Sequence, residues 1–161
     1  MKPLCALVFA LLATALGGQA AAAPTPSAVV TRLYREVSAE AAEHGARDFF
    51  DRPRSALQRY LTPALAALLQ RDRRCAAATH AVCRLDFMPL WDGQDAPAGP
   101  VRVRAGAGPG IVVVRLGAGA CPRLLRYRLT RMRAGWRICD IEYGPGRATL
   151  RQILGGRAGC R

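Results

Sequence analysis

The sequence predicts an α+β fold, with N-terminal helices packed on one face of a curved antiparallel β-sheet. Two patterns predict it. Between residues 25 and 74 the apolar side chains recur at helical spacing, and from Val82 the character changes to short strand-like stretches, with two-residue alternation at 101–104 and in the first strand of the hairpin. A third observation places the organising element at residues 121–143, two strands joined by a tight turn. There Leu125, Tyr127 and Leu129 share one face, and Arg126 and Arg128 share the other.

Residues 1–22 have the layout of a signal peptide. Lys2 supplies the positive start and residues 4–16 an apolar run. That run is well short of the roughly 20 residues a spanning helix needs. Small residues follow, with cleavage after Ala20 or Ala22. No cysteine stands near the cleavage site to carry a lipid, and no later stretch is long and apolar enough to cross a membrane. The rest of the 161-residue chain, 23–161, is read as one domain.

Residues 25–44 predict the first helix, capped by Ser27 or Thr25 and stopped by Gly45. Val30, Leu33, Tyr34, Val37 and Ala41 form its apolar stripe. A link with Phe49 and Phe50 leads to a short second helix that starts at Pro53 and turns Leu57, Tyr60 and Leu61 inward. Thr62 as N-cap and Pro63 as first residue start a third helix. Its buried side is Leu65, Leu68 and Leu69, and its wet end is Arg71, Asp72, Arg73 and Arg74.

Residues 84–87 predict a short strand, and 88–100 a loop punctuated by Pro89, Pro97 and Pro100. Residues 101–104 alternate as a strand, 106–110 turn, and 111–116 form a continuous apolar run suited to a central strand. In the hairpin the inward positions change from Trp136 and Ile138 to Ile141 and Tyr143. That change of parity requires a bulge near Cys139 or Asp140. Gly144, Pro145 and Gly146 end the sheet, 149–154 form a last helical turn, and 155–161 a loose tail.

The formal net charge is +13, and beyond Lys2 every basic residue is arginine. Such a surplus suits an anionic partner: lipid headgroups, lipopolysaccharide or an acidic protein. The preference of a GC-rich genome for Ala, Gly, Arg, Pro and Leu accounts for it equally. The leader argues against nucleic acid, the usual inference from so basic a chain.

Five cysteines remain after the leader: Cys75, Cys83, Cys121, Cys139 and Cys160. An oxidising compartment makes disulfides the default. Cys75 and Cys83 flank a short link, and closing so small a loop contributes roughly 2.5 kcal/mol in the chain-entropy model. The other three allow one bond. In a hairpin turning at Ala134, Cys139 falls opposite a residue near Arg128 rather than Cys121, so the expected pair is Cys121–Cys160 with Cys139 buried and free.

Tyr60-Leu61-Thr62-Pro63-x-Leu65 with Leu68-Leu69, Asp86-Phe87-Met88-Pro89-Leu90 with Gln94-Asp95, Trp136-Arg137-Ile138-x-Asp140-Ile141-x-Tyr143, and Leu150-x-x-Ile153-Leu154 carry a resemblance. Over about residues 29–154 the chain resembles the bacterial exported family called domain of unknown function 3828. That family is similar to the nuclear-transport-factor-2-like, or cystatin-like, cone fold. The resemblance implies a helix-lined concave sheet with a pocket, in a protein periplasmic or secreted after cleavage, and it transfers no catalytic residues. The absence of a lipidation cysteine departs from the family's lipoprotein members.

Polar residues cluster at Asp86, Asp92, Gln94 and Asp95. One reading makes Gln94 and Asp95 the rim of a binding site. Another makes Asp86, Asp95 or Asp140 the base of an isomerase- or dehydratase-like enzyme, as in superfamily isomerases that set an Asp against tyrosine donors. The favoured expectation is that these acids satisfy loop backbone groups and pair with arginines. Trp91 is the expected exposed anchor of the loop, or else the cover of the cone's open end. Arg102, Arg104, Arg126, Arg128 and Arg115 fall on one side of neighbouring strands, as a contact surface or a solvated face that prevents aggregation.

His44 and His80 are expected at the surface, and no Cys/His spacing predicts a metal. No G-x-S-x-G or H-E-x-x-H is present, and the glycines of 106–110 join two strands rather than a strand and a helix, so no cofactor is expected. The expectation is a non-enzymatic binding or accessory module of the cell envelope. The alternatives are the enzyme above and an immunity-type inhibitor of a toxin.

Overall fold

The computed structural model describes residues 23–44, 49–96, 98–118 and 121–160. The expected leader and the side chains of Ala41 and His44 lie outside the described part. Helix α1 (Pro26–His44) is followed by a 3-10 turn (Phe49–Asp51), α2 (Arg54–Leu57) and α3 (Pro63–Thr79). Strands β1 (Val101–Ala105), β2 (Ile111–Leu116), β3 (Arg123–Met132) and β4 (Gly135–Glu142) come next, and α4 (Leu150–Ile153) closes the order. The strands form one antiparallel sheet in the order β1-β2-β3-β4, and the sheet is not closed. Helices on one side of an antiparallel meander are the predicted α+β arrangement.

The local reasons follow the sequence. Thr62 caps α3, its hydroxyl accepting from the Leu65 amide at 3.3 Å, and Pro63 fills a position whose missing N–H costs nothing. Thr149 and Gln152 cap α4 reciprocally, each side chain meeting the other's backbone amide. Val30, Leu33, Tyr34 and Val37 of α1 are buried against Val112, Val114, Leu125, Tyr127, Ile138 and Ile141 of the sheet. Each large apolar side chain in that layer contributes about 1.5–3 kcal/mol.

The hairpin turns at Arg133 and Ala134, with Met132 opposite Gly135. Its register shifts between Arg128, which pairs with Asp140, and Leu129, which pairs with Ile138. Cys139 is the extra residue, so the bulge falls where the parity change placed it.

Four expectations are corrected. Residues 84–87 are not a strand: the Arg84 amide donates to Asp72 Oδ1 at 2.9 Å instead of to a neighbouring strand. The same bond explains why Asp72, expected in the wet end of α3, is only 7% exposed. The second disulfide is Cys139–Cys160, not Cys121–Cys160, and Cys121 is exposed and free. The reason is a backbone tether. The amide of Gly159 donates to the Asp140 carboxylate at 2.8 Å, which delivers Cys160 to the residue beside Asp140. Residues 155–160 are therefore pinned rather than loose. The predicted Cys75–Cys83 bond is present.

Glu36 joins α1 to the turn that follows it. Its carboxylate accepts from Arg52, Arg59 and the Tyr60 hydroxyl, and Arg52 also bonds Glu40. Burial pushes the Glu36 pKa up, but the hydrogen bonds from Tyr60 and Arg52 and the charges of Arg59 and Arg52 outweigh it and leave the carboxyl below 4.5. A depressed carboxylate stabilises the fold above its unfolded pKa and loses that contribution as pH falls through the folded value. Denaturation curves taken from about pH 6 to about pH 3 should show stability falling at the acid end. Glu36→Gln should be less stable near neutrality, with a shallower acid decline.

Candidate functional site

The inner face of the sheet is filled where a cone's pocket would lie. The Tyr127 hydroxyl donates to Tyr34 at 2.7 Å, and Tyr34 donates to the Leu90 carbonyl at 2.8 Å. Trp91 meets the Tyr34 ring edge-on, with centroids 5.3 Å apart. Burial raises the pKa of Tyr127, and burial followed by the neighbouring Tyr127 raises that of Tyr34, so both phenols stay neutral. Tyr143 has its pKa raised by burial first, and its hydroxyl has no hydrogen-bond partner among the described residues.

Trp91 is 5% exposed. It is thus not an exposed loop anchor. It packs into the core cluster. Its loop is tight: the Met88 amide donates to the Gly93 carbonyl at 2.9 Å, and Asp92 adopts a left-handed backbone with φ 52°. Arg123 fastens the loop to β3 by donating to the Trp91 carbonyl at 3.1 Å. Arg147 grips Asp92 with both terminal nitrogens, at 2.6 and 2.7 Å, while lying over the Tyr143 ring. Neither Arg123 nor Arg147 was singled out from the sequence. Nothing in the local sequence distinguishes them in a chain rich in arginine, and only the fold sets them against their acceptors.

The candidate carboxylates do not converge. Asp140 is fully buried, and its oxygens accept from three backbone amides: Ile141 at 2.9 Å, Arg151 at 3.0 Å and Gly159 at 2.8 Å. Those bonds occupy three of the roughly four acceptor sites of a carboxylate. Asp86 and Asp95 are exposed, and the Gln94 side chain donates to the Asp86 carbonyl rather than into a cavity. His80 is exposed and caps α3 in a left-handed conformation. Among the described residues no group of three or more His, Cys, Asp or Glu side chains is arranged to hold a metal ion.

The arginines do come together. Across the sheet Arg102 pairs with Arg115, Arg104 with Val113, Val113 with Arg126, and Ile111 with Arg128. Paired residues share a face, so all five arginines stand on the side of the sheet away from α1. Arg126 and Arg128 are neutralised in part by Glu142. Arg102 and Arg104 are exposed and have no ion-pair partner among the described residues. Leu124, 54% exposed, adds an apolar spot to the same face.

Compared with protein-family models, curated proteins and solved structures, the chain gives no match. No role is therefore carried over from a relative, and the site rests on its geometry.

Two substitutions separate structural from binding roles. Asp140→Asn sets an amide group against a buried donor and should cost roughly 2–3 kcal/mol in chemical denaturation. It should also open the backbone around Arg157 to trypsin. Trp91→Ala should cost about 3–5 kcal/mol, the range for truncating a large core aromatic; a destabilisation below about 1 kcal/mol would contradict its place in the core.

Proposed function

We propose that this protein is a non-enzymatic binding or accessory module of the bacterial cell envelope that takes an anionic partner on the arginine-bearing face of its sheet. The observation that carries the reading is the pair Arg102 and Arg104, exposed side by side on an open sheet while the buried acid Asp140 is committed to backbone amides. Export to the periplasm or beyond is supported by the signal-peptide pattern of residues 1–22 and by the two disulfides. No helix among the described residues is long and apolar enough to cross a membrane. The resemblance to the exported family 3828 points the same way.

The reading is tested with the mature chain on immobilised poly-glutamate at several salt concentrations. Arg102, Arg104 and Arg126 are changed to Gln together, beside a control of equal charge that changes Arg54, Arg74 and Arg157. Removing three cations from one face should weaken binding roughly tenfold or more and flatten its salt dependence, and the control should stay close to wild type. Equal weakening in both triple variants would reduce the effect to net charge and overturn the reading.

A further inference from the structure

We propose that the open edge of β1 is a docking site for an extended segment of a partner protein, acidic at every second residue, which adds to the sheet as a fifth strand. The inference rests on the binding-module reading and names how the partner is held. The two outer edges of the sheet differ. On β4 the Ile138 amide donates to the Tyr60 carbonyl at 2.7 Å and the Thr62 amide to the Ile138 carbonyl at 2.8 Å, so that edge is bridged at Ile138 by the chain itself. On β1 no described residue pairs with the outer side.

The phase of the open edge is set by its bonds to β2. Gly117 donates to the Pro100 carbonyl at 3.2 Å, and Gly106 to the Ile111 carbonyl at 2.9 Å. In an antiparallel pair the hydrogen-bonded positions alternate. Pro100, Arg102, Arg104 and Gly106 therefore face β2, while Val101, Val103 and Ala105 turn their N–H and C=O groups to the free side. A shallow groove of about 410 Å³ runs along this edge, between Val101 and Val103 and the Thr31, Tyr34, Arg35 and Ser38 side chains of α1. It has room for the inward side chains of an added strand.

The charges select the occupant. A second copy pairing antiparallel about Val103 would bring Arg102 of one chain opposite Arg104 of the other, and like charges directly opposite are destabilising. A strand with carboxylates at the positions beside Arg102 and Arg104, and small apolar residues at those beside Val101 and Val103, meets the edge with opposite charge outside and apolar contact inside. Main-chain bonds then give affinity and the alternating side chains give selectivity.

The probe is a capped fluorescent heptapeptide alternating glutamate and valine. It is titrated into the mature protein beside the same peptide N-methylated at the amides that would donate to β1, and beside a version with lysine in place of glutamate. The parent peptide should bind, and N-methylation should weaken it roughly tenfold or more by removing two or three hydrogen bonds. Val103→Pro removes an outward amide without touching β2 and should weaken the peptide similarly while poly-glutamate binding persists. Arg102→Glu with Arg104→Glu should transfer the preference to the lysine peptide. The proposal is overturned if N-methylated and parent peptides bind wild type equally, or if the parent fails to bind at about millimolar concentration. In either case retained, face-specific poly-glutamate binding leaves the function reading standing. Should Val103→Pro not fold, the N-methylated peptide on wild type decides.

Discussion

The carboxylate of Asp140 is the interaction on which the C-terminal third of this protein depends. It sits at a bulge, fully buried, and accepts from one amide on its own strand, one in the first turn of α4 and one in the terminal segment. A buried charge is tolerable only when hydrogen bonds replace its water, and three backbone donors do so here. The bulge is what frees the position. Cys139 is the unpaired residue of the hairpin, so its neighbour turns its carboxylate toward α4 while Cys139 itself meets Cys160. One extra residue in a strand thus determines the disulfide pattern, the position of the last helix and the course of the tail.

The inner face of the sheet is organised by aromatic filling. Tyr127, Tyr34 and Leu90 form a chain of donors and acceptors, and Trp91 closes over it. A tyrosine pair with a carboxylate opposite is the arrangement that would have suggested proton transfer. Here the second tyrosine ends on a main-chain carbonyl, and the nearby acids are spoken for by Arg147 and by backbone amides. The loop that looked like a contact surface is a plug: its polar members stitch it to β3 and to the segment after β4, and its Trp faces inward.

Exposed surface of distinct character is left at the other side and at one edge. The outer face carries arginines in a cross-strand lattice, and among the described residues nothing pairs with the outer side of β1, whereas β4 is bridged at Ile138. Charge on an exposed edge is the usual defence against self-association. In the docking proposed for β1, the same arginines that would repel a second copy set the charge pattern of the added strand.

The sequence by itself determined the class of fold, the helix starts near Thr25 and at Pro63, the strand faces, the hairpin turn, the bulge near Cys139 and the Cys75–Cys83 bond. All of these depend on residues close together in the chain, where period, capping chemistry and loop length act locally. Tertiary structure alone decided the partner of Cys160, the burial of Asp72 and Trp91, and the gripping of Asp92 by Arg147, 55 residues away. Those outcomes depend on which distant donor reaches which acceptor. In a chain with so many arginines and so few acids, local pattern does not single out the pair, because every acid has several cations within plausible reach until the sheet and helices are assembled.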